Sequence, residues 1–188
     1  MKNIERCDWA GTDPLYIDYH DKEWGVPVYD DEKLFEFLIL ETFQAGLSWI
    51  TILRKRENFR KAFDNFDYVK ISKYKEDKIK ELLSDAGIIR NKLKIRASIK
   101  NALAYIDIQK EFGSFSKYIW SFTDGNPLTN NYKSMSEVPS NTALSDTISK
   151  DLKKRGFSFV GSTVVYAHMQ ATGMVNDHLT SCFRHKEV

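Results

Sequence analysis

Apolar positions recur at helical spacing along most of the chain, separated by residues that start and stop helices. Asp13-Pro14 sets a capping side chain before a first-turn proline, and Tyr16, Tyr19 and His20 follow on one face up to Gly25-Val-Pro27. Asp30 or Asp31 can cap a second helix with Leu34, Phe35, Leu38 and Ile39 inward, ending near Gly46. Ser48 can cap a third through Trp49, Ile52, Leu53 and Phe59. Shorter helices are expected over 67–74 and 76–85, then a break at Gly87 and a long helix over about 91–112. Residues 123–141, with Pro127 and Pro139 among Asn, Ser and Thr, read as a connection between lobes or a surface loop. Helices resume over 143–155 and 162–172, the last closed by Gly173. No β-hairpin, repeat or low-complexity tract interrupts this pattern, so the expectation is all-α.

Composition narrows the class. In 188 residues, 42% are apolar and 29% charged, which excludes a disordered tail and a disulfide-dense miniprotein. The net charge of +2 predicts no general pull toward polyanions, yet it hides a gradient. Residues 1–50 carry 4 basic and 11 acidic side chains, whereas 54–100 carry 15 basic and 7 acidic ones. A basic middle beside an acidic start suits a protein with one face for an anion such as nucleic acid. The start Met1-Lys-Asn-Ile-Glu-Arg-Cys7 lacks the apolar core of a secretory leader, and no apolar run is long enough for a membrane. The expectation is a cytoplasmic protein without a disulfide, with no membrane association and no obligate protein partner.

Three constellations carry candidate chemistry. Glu41 follows Leu34 by seven positions and Leu38 by three, so a helix puts its carboxylate on the buried stripe. Burial of a carboxylate is costly unless something pairs with it. It either bends to solvent or lines a pocket with Gln44 and Trp49, to which Trp9, Tyr16, Tyr19 and Trp24 can add walls. Aromatic faces around a fixed anion would suit a flat cationic ring. Second, Cys7-x12-His20 and His178-x3-Cys182 supply the ligand count of a closed tetrahedral zinc site. The x3 spacing would place His178 and Cys182 on one helical turn, and inert buried cysteines with incidental histidines fit the same spacing. His168 reads as a packed or exposed helical histidine and His185 as part of a frayed terminus. Third, residues 79–100 read as helix, tight turn at Gly87, helix, followed by Arg90, Lys92, Lys94 and Arg96. Backbone N–H groups at such a turn can bind phosphate, though a solvated basic helix fits equally. A further cluster, Lys153-Lys-Arg155, either extends that face or covers a helix end.

In order along the chain, Cys7-Asp-Trp9, Asp13-Pro-Leu-Tyr16, Tyr19-His-Asp21, Glu23-Trp-Gly-Val-Pro27, Gln44-Ala-Gly-Leu-Ser-Trp49, Asp85-Ala-Gly-Ile-Ile-Arg90, Lys153-Lys-Arg-Gly-Phe157, Phe159-Val-Gly161 and Asn176-Asp-His178 resemble the 3-methyladenine DNA glycosylase I family. The resemblance covers nearly the whole chain. It departs at Ile89, where a helix-hairpin-helix turn usually carries a second glycine. It implies one helix-hairpin-helix glycosylase domain over 1–188, with a second lobe formed by segments 1–25 and 174–188 joined by one structural zinc on Cys7, His20, His178 and Cys182. It also implies that Glu41 and Tyr19 act on the base, that Trp49 stacks, and that Tyr16, Trp9 and Trp24 form walls. Gly46 and Leu47 would fill the gap in the duplex, and Gly87, Arg90 and Lys92 would hold its backbone. The implied activity is hydrolytic release of 3-methyladenine from alkylated double-stranded DNA, without lyase action; a non-catalytic DNA-binding module is the alternative. The family lacks the aspartate with which wider relatives stabilise the sugar cation, leaving Asp124, Asp146 or Asp177 as the acids to locate.

Overall fold

The computed structural model describes residues 4–188; Met1 to Asn3, part of the leader reading and of segment 1–25, lie outside them. The chain is mostly helical, as its pattern predicts. Its centre is α2 (Asp31–Gln44), in which Leu34 through Phe43 are all buried. A helix apolar on every side must be surrounded, and α3 (Trp49–Ala62), α6 (Lys92–Phe112), α7 (Phe115–Trp120) and α9 (Ser162–Ala171) enclose it. Aromatic pairs such as Phe43–Phe59 and Phe35–Tyr105, with centroids 4.8 and 4.9 Å apart, fill the main core.

Caps fix the boundaries. The Asp13 carboxylate accepts the Leu15 N–H at the start of α1 (Pro14–Lys22), and Asp30 accepts that of Lys33 at the start of α2. Asp31 instead reaches across the core to accept the Phe115 and Ser116 N–H groups at 2.9 and 2.8 Å. It thereby joins Ser114, whose hydroxyl accepts the Lys117 N–H, in capping α7, a six-residue helix too short to show a period in the sequence. Ser48 occupies the cap position of α3 but bonds the Thr51 hydroxyl rather than a backbone N–H, which corrects the capping role expected of it. The 67–74 helix contracts to α4 (Tyr68–Ile71). The hairpin consists of α5 (Glu76–Ser84), a turn over 85–91 and α6, where Asn91 accepts the Leu93 and Lys94 N–H groups.

The stretch 123–141 is a structural participant. Its β1 (Leu128–Thr129) pairs in parallel with β2 (Val175–Asn176), and between this pair and α8 (Ala143–Lys154) it places Met135 and Val138 on a second apolar cluster. That smaller cluster joins the chain ends: Cys7, Tyr19 and Trp24 pack with Ala171, Leu179 and Cys182. His178 and Cys182 do not share a helical turn, because Asn176 Oδ1 accepts both the backbone N–H and the Nδ1–H of His178 and holds an Asx turn there. The terminus is not frayed either: Asn176 donates to the His185 and Val188 carbonyls, and the His185 ring donates to the Asn130 carbonyl. No described helix is long and apolar enough to cross a membrane.

Candidate active site

Between the two clusters lies a cavity of about 190 Å³, lined by Trp9, Tyr16, Tyr19, Trp24, Glu41 and Trp49 together with Gln44, Met135, Ala167 and Gln170. All six residues expected at a base pocket therefore converge. Trp9 packs against Tyr16 and Trp24 with centroids 4.9 Å away in each case, and Tyr19 lies 5.5 Å from Trp49. Glu41 is only 4% exposed, and burial alone pushes its carboxyl up to about 8. No countercharge or hydrogen bond from a described residue offsets that cost. Burial, then the nearness of Glu41, keeps the Tyr19 phenol neutral well above its ordinary range. The indole N–H of Trp49 is also buried without a partner.

Met135 and Gln170 were not legible as wall residues. Gln170 donates from Nε2 to Asp177 Oδ2 at 2.8 Å, and Tyr166 and Asn130 donate to the same carboxylate at 2.6 and 2.7 Å. Asp177 is thus buried with both oxygens engaged behind the wall, whereas Asp124 and Asp146 lie at the surface. None of the three stands free in the cavity.

Beneath the aromatic walls, the ligand atoms of Cys7, His20 and Cys182 lie within 4.8 Å of one another, all buried, a group able to bind a metal. His20 donates Nδ1–H to Asp21 at 2.8 Å, and Asp21 is held low, against the cost of its burial, by Arg6 and His20. That leaves His20 Nε2 with its lone pair toward the thiols, where it accepts the Cys7 N–H. A hydrogen bond from the Cys7 thiol, opposed by burial, holds Cys182 down to about 4. His178 falls outside this trio but beside it, its ring centroid 5.1 Å from that of His20. With Nδ1–H given to Asn176, its Nε2 is the unprotonated nitrogen, buried and unpartnered. Gly25 makes room for this ring, since a Cβ there would stand 2.6 Å from His178 Cε1. His168 is a packed histidine against the Leu34 carbonyl, driven down to about 4 by burial.

At the hairpin, Asp85 accepts the Gly87 N–H at 2.7 Å, and Lys55 donates to the Ala86 and Gly87 carbonyls. The turn carbonyls are thereby drawn onto α3. Ile89, in the usual glycine position, packs its side chain on the core. Arg90 and Lys92 are exposed and pair with no carboxylate among the described residues. Two other members of the basic run do not share that role. Lys94 is buried, giving its protons to the Phe43 and Ala45 carbonyls, and Arg96 pairs with Glu76. Arg155 covers a helix end, bonded to Asp151 and Glu111 over the Phe112 and Tyr118 rings. Gly46 and the 39%-exposed Leu47 form the tip of the loop between α2 and α3, beside the cavity residues Gln44 and Trp49.

The methyladenine glycosylase family model matches residues 9–185. DNA-3-methyladenine glycosylase 1 of Escherichia coli (strain K12) is 51% identical over 179 residues, covering 95% of this chain and 96% of that one. A crystal structure of 3-methyladenine DNA glycosylase I superposes with a TM-score of 0.93 at 51% identity, over 95% of this chain and 98% of that one. A variant of 3-methyladenine DNA glycosylase I in complex with 3-methyladenine gives 0.92 at 36% identity, over 95% and 96%. With the family pattern matched over residues 9–185 and a relative 51% identical over 95% of the chain, this chain belongs to the methyladenine glycosylase family.

Proposed function

We propose that the protein is a cytoplasmic base-excision repair enzyme that hydrolyses the N-glycosidic bond of 3-methyladenine in alkylated double-stranded DNA, releasing the free base and leaving an abasic site. The observation that carries this reading is Glu41, a buried carboxyl without a partner inside an aromatic cage. Methylation at N3 gives the adenine ring a positive charge and weakens its bond to deoxyribose. Such a ring supplies the countercharge Glu41 lacks, lowers its pKa and draws it to the carboxylate form. The cage then favours the departing base electronically while water takes C1′. Glu41 accepts hydrogen bonds from the adenine edge, Tyr19 assists as a neutral phenol, and Trp49 stacks, with Tyr16, Trp9 and Trp24 as further walls. No lysine among the described residues lines the cavity, which supports hydrolysis rather than a Schiff-base route.

Extrusion needs a grip and a wedge. Arg90 and Lys92 hold phosphates beside the hairpin turn, which Gly87 closes with its N–H given to Asp85, and Gly46 and Leu47 enter the gap the nucleotide leaves. Cys7, His20, Cys182 and His178 hold one structural zinc, a reading supported by the buried, unprotonated and unpartnered His178 Nε2 beside the trio. Four protein ligands leave no open position, so the ion joins segments 1–25 and 174–188 within a single domain. The opposing reading, a DNA-binding module that lost excision, gains nothing from a cavity whose cage residues are all present. Incubation with methylated double-stranded DNA and identification of the released bases tests the proposal: free 3-methyladenine is expected, and binding without any base release would leave only the module.

A further inference from the structure

The loop Ala45-Gly-Leu-Ser48 leaves the cavity wall and turns at an exposed tip, with Gly46 at φ +84° in open space. A helix end leaves its last carbonyls without intrahelical partners. At the end of α2, the Phe43 and Ala45 carbonyls accept hydrogen bonds from Lys94 Nζ at 2.9 and 2.6 Å. Lys94 comes from the first turn of α6, two positions after Lys92, and is 6% exposed with no carboxylate bonded to it. An ammonium taken out of water at that cost needs a use, and one at a helix C-terminus meets the negative end of the dipole. From the other side, Gln44 Nε2 donates to the Leu47 carbonyl at 2.9 Å, and the Leu47 N–H returns to the Gln44 carbonyl at 2.7 Å. The loop base is therefore fastened on both sides, while a Cβ at Gly46 would meet only open space.

We infer that Lys94 is a positioning residue that sets the Gly46–Leu47 wedge at a fixed distance from the phosphate-gripping turn, coupling the hold on the backbone to extrusion of the base. The inference rests on the reading above in which Gly46 and Leu47 fill the gap. One side chain spans the two machineries: its helix turn follows Arg90 and Lys92, and its ammonium ends the helix that carries Glu41 and Gln44. A wedge already ordered by these bonds does not lose its freedom when the duplex arrives, so binding energy goes into extrusion. With the bonds gone, Arg90 and Lys92 would still bind phosphate and the cavity would still accept a base. Only the step needing both in register would suffer.

The test separates these steps. For Lys94→Met and Lys94→Gln, single-turnover excision of 3-methyladenine from duplex DNA is measured beside equilibrium affinity for the duplex, affinity for free 3-methyladenine, and thermal melting. Excision is expected to fall about 10- to 100-fold, as a small misplacement can produce, while both affinities stay within about twofold. Lys94→Gln keeps a donor at the helix end and carries the comparison if the methionine variant melts too low to assay. Unchanged excision, or a parallel loss of excision and both affinities in a folded variant, would overturn the inference. If the unsubstituted protein released no 3-methyladenine, the functional reading itself would fail, and the inference with it; release by that protein with no excision defect in the variants would sink the inference alone.

Discussion

Around the cavity and the joined chain ends, buried polar groups stand without partners: Glu41 of α2 facing the cavity, the Trp49 indole N–H, and His178 Nε2 next to the thiols. In the hairpin, the buried polar groups are bonded. Asn91 caps α6, Asp85 closes the turn, Lys94 is satisfied on two carbonyls, and the free cations Arg90 and Lys92 are in water. The first region lowers the stability of the empty protein and gains when something arrives. The second costs the fold little and offers only generic attraction. Recognition and grip are thus built by different physics, and substitutions should act differently on stability in the two regions.

The hardest way to break this contrast is at the thiol cluster. Protein never exposed to chelator is expected to contain about one zinc per chain, and Cys182→Ala to contain none. Losing an ion bound at a thousand times its dissociation constant removes about 4 kcal/mol of stability, read as a fall in the melting midpoint. Metal analysis that finds no zinc in the unsubstituted protein would sink this reading and make the orphan nitrogen of His178 a cost without return.

Next comes Glu41→Gln, which keeps the shape and removes the charge. Affinity for free 3-methyladenine is expected to fall about 10- to 100-fold, the range of a lost charge-assisted hydrogen bond, while the empty protein does not lose stability. The pH dependence gives an independent check. Glu41 is held near 8 in the folded chain against an ordinary 4.5, so between those values the native state keeps a proton that the unfolded state has lost. Stability carried by that proton is complete below about 4.5 and declines toward pH 8. Its slope reaches about 1.4 kcal/mol per pH unit in this window. Glu41→Gln should remove that component from a series of denaturant melts; an unaltered profile would mean Glu41 is already ionised in the empty cavity.

The contrast also explains what could be read from sequence. Local signals were legible where one residue decides: Asp13 before Pro14, Asp30 before α2, and Glu41 on an apolar stripe. The quartet of thiols and imidazoles was legible as a count but not as geometry, because the Asx turn at Asn176 replaces the helical turn that the x3 spacing suggested. Residues that meet through the tertiary fold left weaker traces. Met135 reaches the cavity because β1 pairs with β2, and two-residue strands show no period. Asp31 looked like a cap for its own helix and serves another. Lys94 read as one cation in a basic run, although a signal was available. Positions 94, 98, 101 and 105 form a helical stripe, and Ser98, Asn101 and Tyr105 on it are buried as Lys94 is.

The smallest effect should come from the grip. Replacing Arg90 and Lys92 together by Gln removes two exposed cations with no ion pairs among the described residues, so melting should stay within about 0.5 kcal/mol. Duplex affinity should weaken uniformly across sequences, and the slope of log affinity against log salt should flatten by about 2, close to one for each phosphate no longer neutralised. Excision from saturated enzyme–DNA complexes should change little, because neither side chain lines the cavity. This separates the grip from Lys94, two positions beyond Lys92, where affinity is expected to hold and excision to fall. An unchanged salt slope would show that the hairpin cations are a solvated face, and the anion-binding role would pass to the backbone N–H groups of the turn alone.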